Sequence, residues 1–386
     1  VNKRSVLIIY PGPVPPEIEP ERNLCYWLSD FARGWFVQPI WWSKKETQDR
    51  LKLPPSGEFS IGEFKYKFIF PFEANSLSRP LLNFLAFIKS CRAVIKDERP
   101  DLIYTYGSNS TGIAGVVMKL LTGAKLVVMI PGVPAKAFIL EESNAGTGAR
   151  LKKLIADVLL YVCLCFADGI RLLYPTQLSE YRVSGKPKRF VFHDFTPVSG
   201  VKVEVKDNKR LLVLGYPWFL KGVDIAIKAF HEIEMEFPEY SLEVCGHCSP
   251  EDLSYFKSLT KDSERIILGK GVRYADAIQK LAECSVMVLP SRTEAMGRVN
   301  LEAFYLRKPI VASAVDGIPY YVRDRETGLL FRSGDHLDLA EKLRTILKNQ
   351  SLREQLTENG YRSFLENYNE QAFAREFQRM VSATLA

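Results

Sequence analysis

Long apolar runs are missing from this chain. A membrane-crossing helix needs roughly 20 predominantly apolar residues, and the best stretch, Leu154 to Phe166, is shorter and contains Asp157. A spanning segment is therefore not expected. Cysteine is sparse and odd in number, seven in 386 residues, which argues against a disulfide framework and for a reducing compartment. No Asp-x-Asp triplet occurs, so the carboxylate pair that commonly clamps Mg²⁺ or Mn²⁺ on a phosphate is lacking. Histidine is reduced to His193, His231, His247 and His336. There is no short repeat and no low-complexity segment. Asn2-Lys3-Arg4 runs directly into the apolar stretch Ser5 to Tyr10, without the long apolar region and small-residue cleavage site of a secretory leader. A cytoplasmic protein is the expectation.

What is present is ordinary globular composition, 47% hydrophobic and 25% charged, in a chain long enough for two α/β domains. The net charge of +7 could attract nucleic acid, anionic lipid or a phosphorylated substrate, and charge alone does not choose among them. Cys245-Gly-His-Cys248 has the spacing of a redox dithiol. A thioredoxin-like unit would have to begin there, whereas the pair follows an apolar strand in the middle of a longer array, so a structural turn is the reading adopted.

Periodicity gives a strand over Ser5 to Tyr10, then Leu24, Trp27, Leu28 and Phe31 at helical spacing, with Gly34 ending that helix. Strands follow near Val37 to Trp41, Leu102 to Tyr106, Leu126 to Ile130 and Gly169 to Leu173. Helices are expected near Leu81 to Lys96, Gly112 to Leu121 and Arg150 to Phe166. A polar, lysine-rich stretch from Ser199 to Arg210 precedes a second array, with strands near Leu211 to Leu214, Leu242 to Cys245, Ile266 to Leu268, Val286 to Leu289 and Ile310 to Ala312. Phe373, Phe377 and Val381 mark a closing helix. The predicted fold is α/β, two doubly wound Rossmann-like domains facing across a cleft: residues 1–205, residues 206–365 and a closing helix over 366–386. Ligands of such sheets bind beyond the carboxyl ends of the strands, so the site is expected between the halves.

The richest segment runs from Val288 to Ala303, where a buried strand ends at Pro290 and a helix begins near Gly297. Backbone N–H groups of Met296, Gly297 and Arg298, with the positive end of the helix dipole, suit a diphosphate. Glu302, about one and a half turns into the helix, can accept hydrogen bonds from two ribose hydroxyls. Glu294 stays in the loop, near a sugar. A pair of glutamates on its own is a weak signal, because solvated helix glutamates are common.

The surrounding residues sharpen it. Glu294-x7-Glu302, Lys308-Pro309, Gly317-Ile-Pro319 and Glu326-Thr-Gly-Leu-Leu-Phe331 closely resemble the donor-binding half of glycosyltransferase family 4, retaining enzymes of the GT-B fold. Upstream, Leu214 to Phe230 is similar to that family's strand, turn and Lys-Gly helix opening, which makes Lys221 and Gly222 diphosphate-binding candidates. Val272, in Gly269-Lys-Gly-Val-Arg273, falls at the loop that holds the nucleotide base in the family. Gly12, in Pro11-Gly-Pro-Val-Pro-Pro16, replaces the glycine-rich loop after the first strand. Two departures stand out: Tyr216 occupies the place of the family's diphosphate-binding arginine, and Ile130-Pro-Gly132 the place of a histidine facing the sugar. Arg298 could compensate for the first, or be an ordinary surface arginine.

The resemblance implies a hexosyltransferase that takes a UDP- or GDP-sugar, transfers the sugar with retention to a hydroxyl acceptor, and needs neither metal nor other cofactor. The catalytic candidates are Glu294 and Lys221; Glu302, Met296, Gly297, Arg298, Gly222, Val272 and Gly12 are donor-binding candidates. Nucleic acid is not among the expected partners. A hydrolase using both glutamates and a non-catalytic sugar-nucleotide-binding subunit are the competing readings. Trp35, Phe36, Trp41, Trp42, Lys44 and Lys45, with Lys152 and Lys153 opening a helix that continues through Val158, Leu159, Val162 and Leu164, suit peripheral contact with an anionic membrane and a lipid-linked acceptor. The commoner reading of these residues is a core strand and a helix buried all round.

Overall fold

A computed structural model describes residues 3–11, 22–39, 58–69, 79–132, 147–181, 183, 185, 187–198 and 200–386. The chain divides into two compact units, with the change between them at Pro197 and Val198 and the terminal segment Glu370–Ala386 belonging to the first unit.

The first unit holds an eight-stranded sheet of order β3-β4-β2-β1-β5-β6-β7-β8. Its strands are β1 (Arg4–Ile9), β2 (Ala32–Pro39), β3 (Glu58–Ile61), β4 (Phe64–Ile69), β5 (Leu102–Tyr106), β6 (Lys125–Met129), β7 (Gly169–Leu172) and β8 (Lys188–Val191). Among the described residues of this unit only the β3–β4 hairpin is antiparallel. The helices are α1 (Leu24–Leu28), α2 (Arg79–Asp97), α3 (Ser110–Thr122) and α4 (Thr147–Phe166), with a terminal helix over Glu370–Leu385. Val6 to Ile9 and Leu126 to Met129 are buried along their whole length, as central parallel strands covered on both faces must be.

Two sequence expectations fail here. The first helix stops at Leu28, and β2 begins at Ala32, five residues before the expected Val37; Trp41 lies outside the described residues. The helical spacing of Phe31 was fortuitous, because the bulky run Trp35-Phe36-Val37 favours a strand. Gly34 does not end a helix. It sits within β2 at φ +137°, where a Cβ would come 2.3 Å from the Val6 carbonyl oxygen. The glycine permits close strand approach.

A buried charge ties the terminal helix to this sheet. Arg171 on β7 is fully buried; it donates to the Tyr104 hydroxyl at 2.6 Å and pairs with Asp194 at 3.4 Å. Its guanidinium also lies over the rings of Phe192 (4.3 Å) and Phe373 (5.1 Å). Phe373 and Phe377 of the terminal helix are buried beside it.

The second unit holds six parallel strands in the order β11-β10-β9-β12-β13-β14: β9 (Arg210–Leu214), β10 (Ser241–Cys245), β11 (Ile266–Leu268), β12 (Val286–Leu289), β13 (Ile310–Ser313) and β14 (Leu329–Phe331). Its helices are α5 (Val223–His231), α6 (Pro250–Leu259), α7 (Tyr274–Glu283), α8 (Arg298–Tyr305), α9 (Ile318–Tyr321), α10 (His336–Lys348) and α11 (Gln350–Ser363). From β9 the chain builds outward through β10 and β11, then returns to β12 on the other side of β9. The order reverses between β9 and β12, and the crevice at their carboxyl ends is where open α/β sheets take ligands. Cys245 ends β10 as a buried thiol, pushed up to about 11 by burial and by Glu243. A redox dithiol requires the opposite shift.

Candidate donor site

Two loops leave the sheet side by side at this reversal, one from β9 to α5 and one from β12 to α8. Val286 to Leu289 are buried, the strand ends there, and burial continues through Pro290 and Ser291 before the chain emerges at Arg292. Arg292 then clamps the loops together. Its backbone N–H donates to the Leu220 carbonyl (2.8 Å), its guanidinium to the Phe219 carbonyl (2.7 Å), and it holds the Asp224 carboxylate at two points, 2.8 and 2.7 Å. The same guanidinium lies 4.1 Å over the Phe219 ring. Bidentate pairing of this kind fixes geometry as well as adding energy.

Glycine allows the loops to touch. Gly222 has φ +66°, and a Cβ there would lie 1.9 Å from the Pro290 carbonyl oxygen. Thus the Lys-Gly pair has a steric reason: Lys221 is delivered to the crevice by a backbone that only glycine can form. Its ammonium donates to the Glu294 carboxylate, both side chains being mostly buried. Glu294 is held from the other side as well. Its N–H donates to Asp316 (3.3 Å), which also accepts from the Thr293 hydroxyl (2.5 Å), and its carbonyl accepts from the Gly317 N–H (3.1 Å). The Ser313 hydroxyl at the end of β13 pins the Ser291 carbonyl (2.7 Å).

Gly297 caps α8 at φ +69°; a Cβ would collide with Asn300 Nδ2 (2.8 Å) and Leu289 Cδ2 (2.9 Å). Met296 is buried as a whole residue behind this turn. Arg298 is exposed at the first position of α8 and faces Glu302 electrostatically. Burial raises the Glu302 carboxyl above its ordinary value, while Arg298 and a hydrogen bond from Tyr274 partly offset that shift. Tyr274 opens α7 directly after the loop Gly269 to Arg273, so it joins partly exposed Val272's loop to Glu302.

Lys221, Gly222, Glu294, Met296, Gly297, Arg298 and Glu302 therefore gather around two adjacent loops and the helix after them. Gly12 lies outside the described residues, as do Trp42, Lys44 and Lys45. Tyr216, in the place of an arginine, is exposed and faces His247 at 5.5 Å between rings. It borders a depression of about 620 Å³ shared with Phe219, His247, Asp252 and Tyr255. In the first unit Ile130 and Gly132, where a histidine was expected, are held by the Gln177 amide, which donates to their carbonyls at 2.6 and 3.3 Å. Sequence reasoning missed Arg292, Asp224, Asp316 and Tyr274, although Arg292 and Asp224 lie inside the quoted motifs and Asp316 and Tyr274 border them.

A parallel sheet with a helix-capped crevice at its reversal point marks an open α/β unit with a ligand-sized opening between its loops, and comparisons specify its class. The model for "Glycosyl transferases group 1" matches residues 199–363. An uncharacterized glycosyltransferase of Methanocaldococcus jannaschii is 30% identical over 276 residues, 69% of this chain and 71% of that protein. The capsular polysaccharide biosynthesis glycosyltransferase CapM of Staphylococcus aureus is 30% identical over 193 residues, which span half of CapM (50%) and 48% of this chain. Among solved structures, a sucrose-phosphate synthase from Thermosynechococcus elongatus superposes with a TM-score of 0.76 at 17% identity over 99% of both chains. HepE of Anabaena, in complex with UDP and glucose, gives 0.69 at 15% identity over 98% of this chain and 100% of HepE. The architecture is GT-B, two Rossmann-like units. This chain belongs to the glycosyltransferases, and its second unit matches the group 1 model.

Proposed function

We propose that the chain is a retaining, metal-independent hexosyltransferase of family 4, moving sugar from a UDP- or GDP-sugar to a hydroxyl acceptor, a lipid-linked molecule or a glycan. The observation that carries the reading is the Lys221–Glu294 pair at the sheet reversal, one turn from the N-terminus of α8. An incoming diphosphate competes for the Lys221 ammonium and adds the N–H groups of Gly297 and Arg298. Glu294 is then released to hold donor-sugar hydroxyls and stabilise positive charge at the anomeric carbon. Glu302 accepts from the ribose, and Val272's loop holds the base.

In the reaction the bond from the anomeric carbon to the β-phosphate oxygen breaks, and the electron pair stays on the phosphate. Lys221 and the helix N-terminus stabilise that growing charge, the kind of interaction that dominates such catalysis. The acceptor oxygen bonds to the same face of the anomeric carbon, and its proton passes to the departing phosphate. This route uses no histidine base and no metal. We assign the acceptor to residues 1–205, the donor to residues 206–365 and a closing role to 366–386. A cytoplasmic setting at the inner face of an anionic membrane fits a lipid-linked acceptor.

The test incubates the full chain with UDP- and GDP-hexoses and lipid or glycan acceptors in EDTA, with the product anomer read by NMR. Transfer with retained configuration is expected. Inversion overturns retention, and water as the preferred acceptor favours a hydrolase. Donor binding without turnover on any acceptor favours a binding subunit, the reading motivated by Tyr216.

A further inference from the structure

We infer that the outward stripes of α2 and α4 form a face that rests on an anionic bilayer. This deepens the proposed membrane setting by assigning it a surface. Helix α4 is not buried all round. Ala156, Leu160, Cys163 and Leu164 point into the core, while Leu151, Leu154, Ile155, Val158 and Tyr161 recur every three to four residues on the outside. On α2, Leu81, Leu82 and Leu85 are likewise outside, and these eight side chains are 41% to 61% exposed. Scattered exposed leucines are ordinary; two helices each with a second, outward apolar stripe are not.

Charge identifies the occupant. Arg150, Lys152 and Lys153 are exposed around the α4 stripe, and Lys89, Arg92 and Lys96 are exposed along α2. Each helix contains one acid, and each acid is engaged: Asp157 accepts from the Tyr181 hydroxyl at 2.9 Å, and Asp97 accepts from Lys65 at 3.1 Å. The face is thus apolar and positive. Protein interfaces are depleted in lysine, whereas amphipathic helices on anionic lipid combine leucine with lysine and arginine.

Position gives the face its use. Four residues separate α2 from β5 and two separate α4 from β7. Both helices therefore end at the amino edge of the sheet and begin at its carboxyl edge. The α2 stripe occupies its first two turns, and the α4 stripe starts in its second turn at Leu151 and runs to Tyr161, so both lead away from the edge where ligands of such sheets bind. At that edge Tyr10 and Tyr106 pack with ring centroids 4.5 Å apart, and the Tyr106 hydroxyl donates to Asp194 at 2.7 Å. A chain lying on lipid through this face meets acceptor headgroups at the mouth of its own sheet.

Flotation of the full chain on phosphatidylcholine vesicles, with and without phosphatidylglycerol, tests the assignment. Two variants accompany it: Leu154→Ser with Ile155→Ser and Val158→Ser, and Lys152→Glu with Lys153→Glu. The wild type should co-float with phosphatidylglycerol vesicles at low salt, less so as salt rises, and poorly with phosphatidylcholine alone. Each variant should lose about tenfold or more of that binding with an unchanged melting temperature, since the replaced side chains are outside the core. No enrichment of the wild type overturns the proposal, as does undiminished flotation of the triple-serine variant. A dimer in sedimentation that the serine variant dissociates, without any vesicle effect, assigns the face to a second copy instead. Calorimetry with UDP-glucose separates this result from the transferase reading: the variants should keep the wild-type donor affinity, and failure of the wild type to bind any nucleotide sugar sinks the enzymatic reading alone.

Discussion

Arg292 grips the Asp224 carboxylate at two points, 2.7 and 2.8 Å, and so locks the first turn of α5 to the loop that carries Glu294. Asp224 is 4% exposed, so removing its partner leaves a charge with little water. Arg292→Ala should cost on the order of 3 kcal/mol in urea unfolding. Arg292→Lys should restore part of the stability but less of the turnover, because one ammonium cannot reproduce the two-point grip. Equal rescue of both would mean that Arg292 serves stability only.

Gly222 offers a steric test of the same junction. Alanine there must sit at φ +66° and 1.9 Å from the Pro290 carbonyl oxygen, so the two loops have to part. Displacing Lys221 by about 1 Å should lower kcat roughly a hundredfold, with a smaller change in melting temperature. Gly185→Ala, where nothing lies within 4 Å, should leave both unchanged. Wild-type turnover in Gly222→Ala would show that the approach of the loops does not position the lysine.

Much of this was legible in the sequence, and the reason is local. In the second unit, buried runs such as Val286 to Leu289 are bounded by Pro290 and Gly297, so strand, turn and helix can be read in order. Ile103 and Val127 stand out for the same reason. The failures come from long-range facts. Gly34 read as a helix stop because its partner, Val6, is 28 residues away. The strand Leu329–Phe331 is three residues long and exists only by pairing with β13. Asp224 and Arg292 are 68 residues apart, and nothing local marks them as a pair. The α4 pattern was ambiguous because apolar residues occupy both its inward and outward faces.

Lys221 and Lys228 separate a catalytic cation from a bystander on one helix and its cap. Lys221 faces Glu294 in the crevice, whereas Lys228 is exposed on α5. Loss of a group that stabilises developing charge costs on the order of a hundredfold to a thousandfold in kcat, so Lys221→Ala should fall in that range and Lys228→Ala should match the wild type. The rates are to be measured with and without EDTA. Loss on chelation with recovery on Mg²⁺ would falsify the metal-free reading.

Glu302 links the site to pH. Burial raises its folded carboxyl above the ordinary 4.5, with Arg298 and Tyr274 only partly offsetting it. Between 4.5 and that raised value the folded chain holds a proton that the unfolded chain has released. Stability contributed by this group therefore falls as pH rises through that window, and above it the buried carboxylate is a standing cost. Glu302→Gln removes the cost, so the variant should melt higher than the wild type at neutral pH, with the difference shrinking toward pH 4.5. Nucleotide affinity should move the other way. A neutral amide is a weaker acceptor for two ribose hydroxyls than a carboxylate, and about tenfold looser UDP binding by calorimetry is expected. Gains in stability beside losses in binding are what a residue retained for its ligand should show. A variant that melts lower at neutral pH, or that binds UDP as tightly as the wild type, would make Glu302 a structural carboxylate rather than the ribose acceptor.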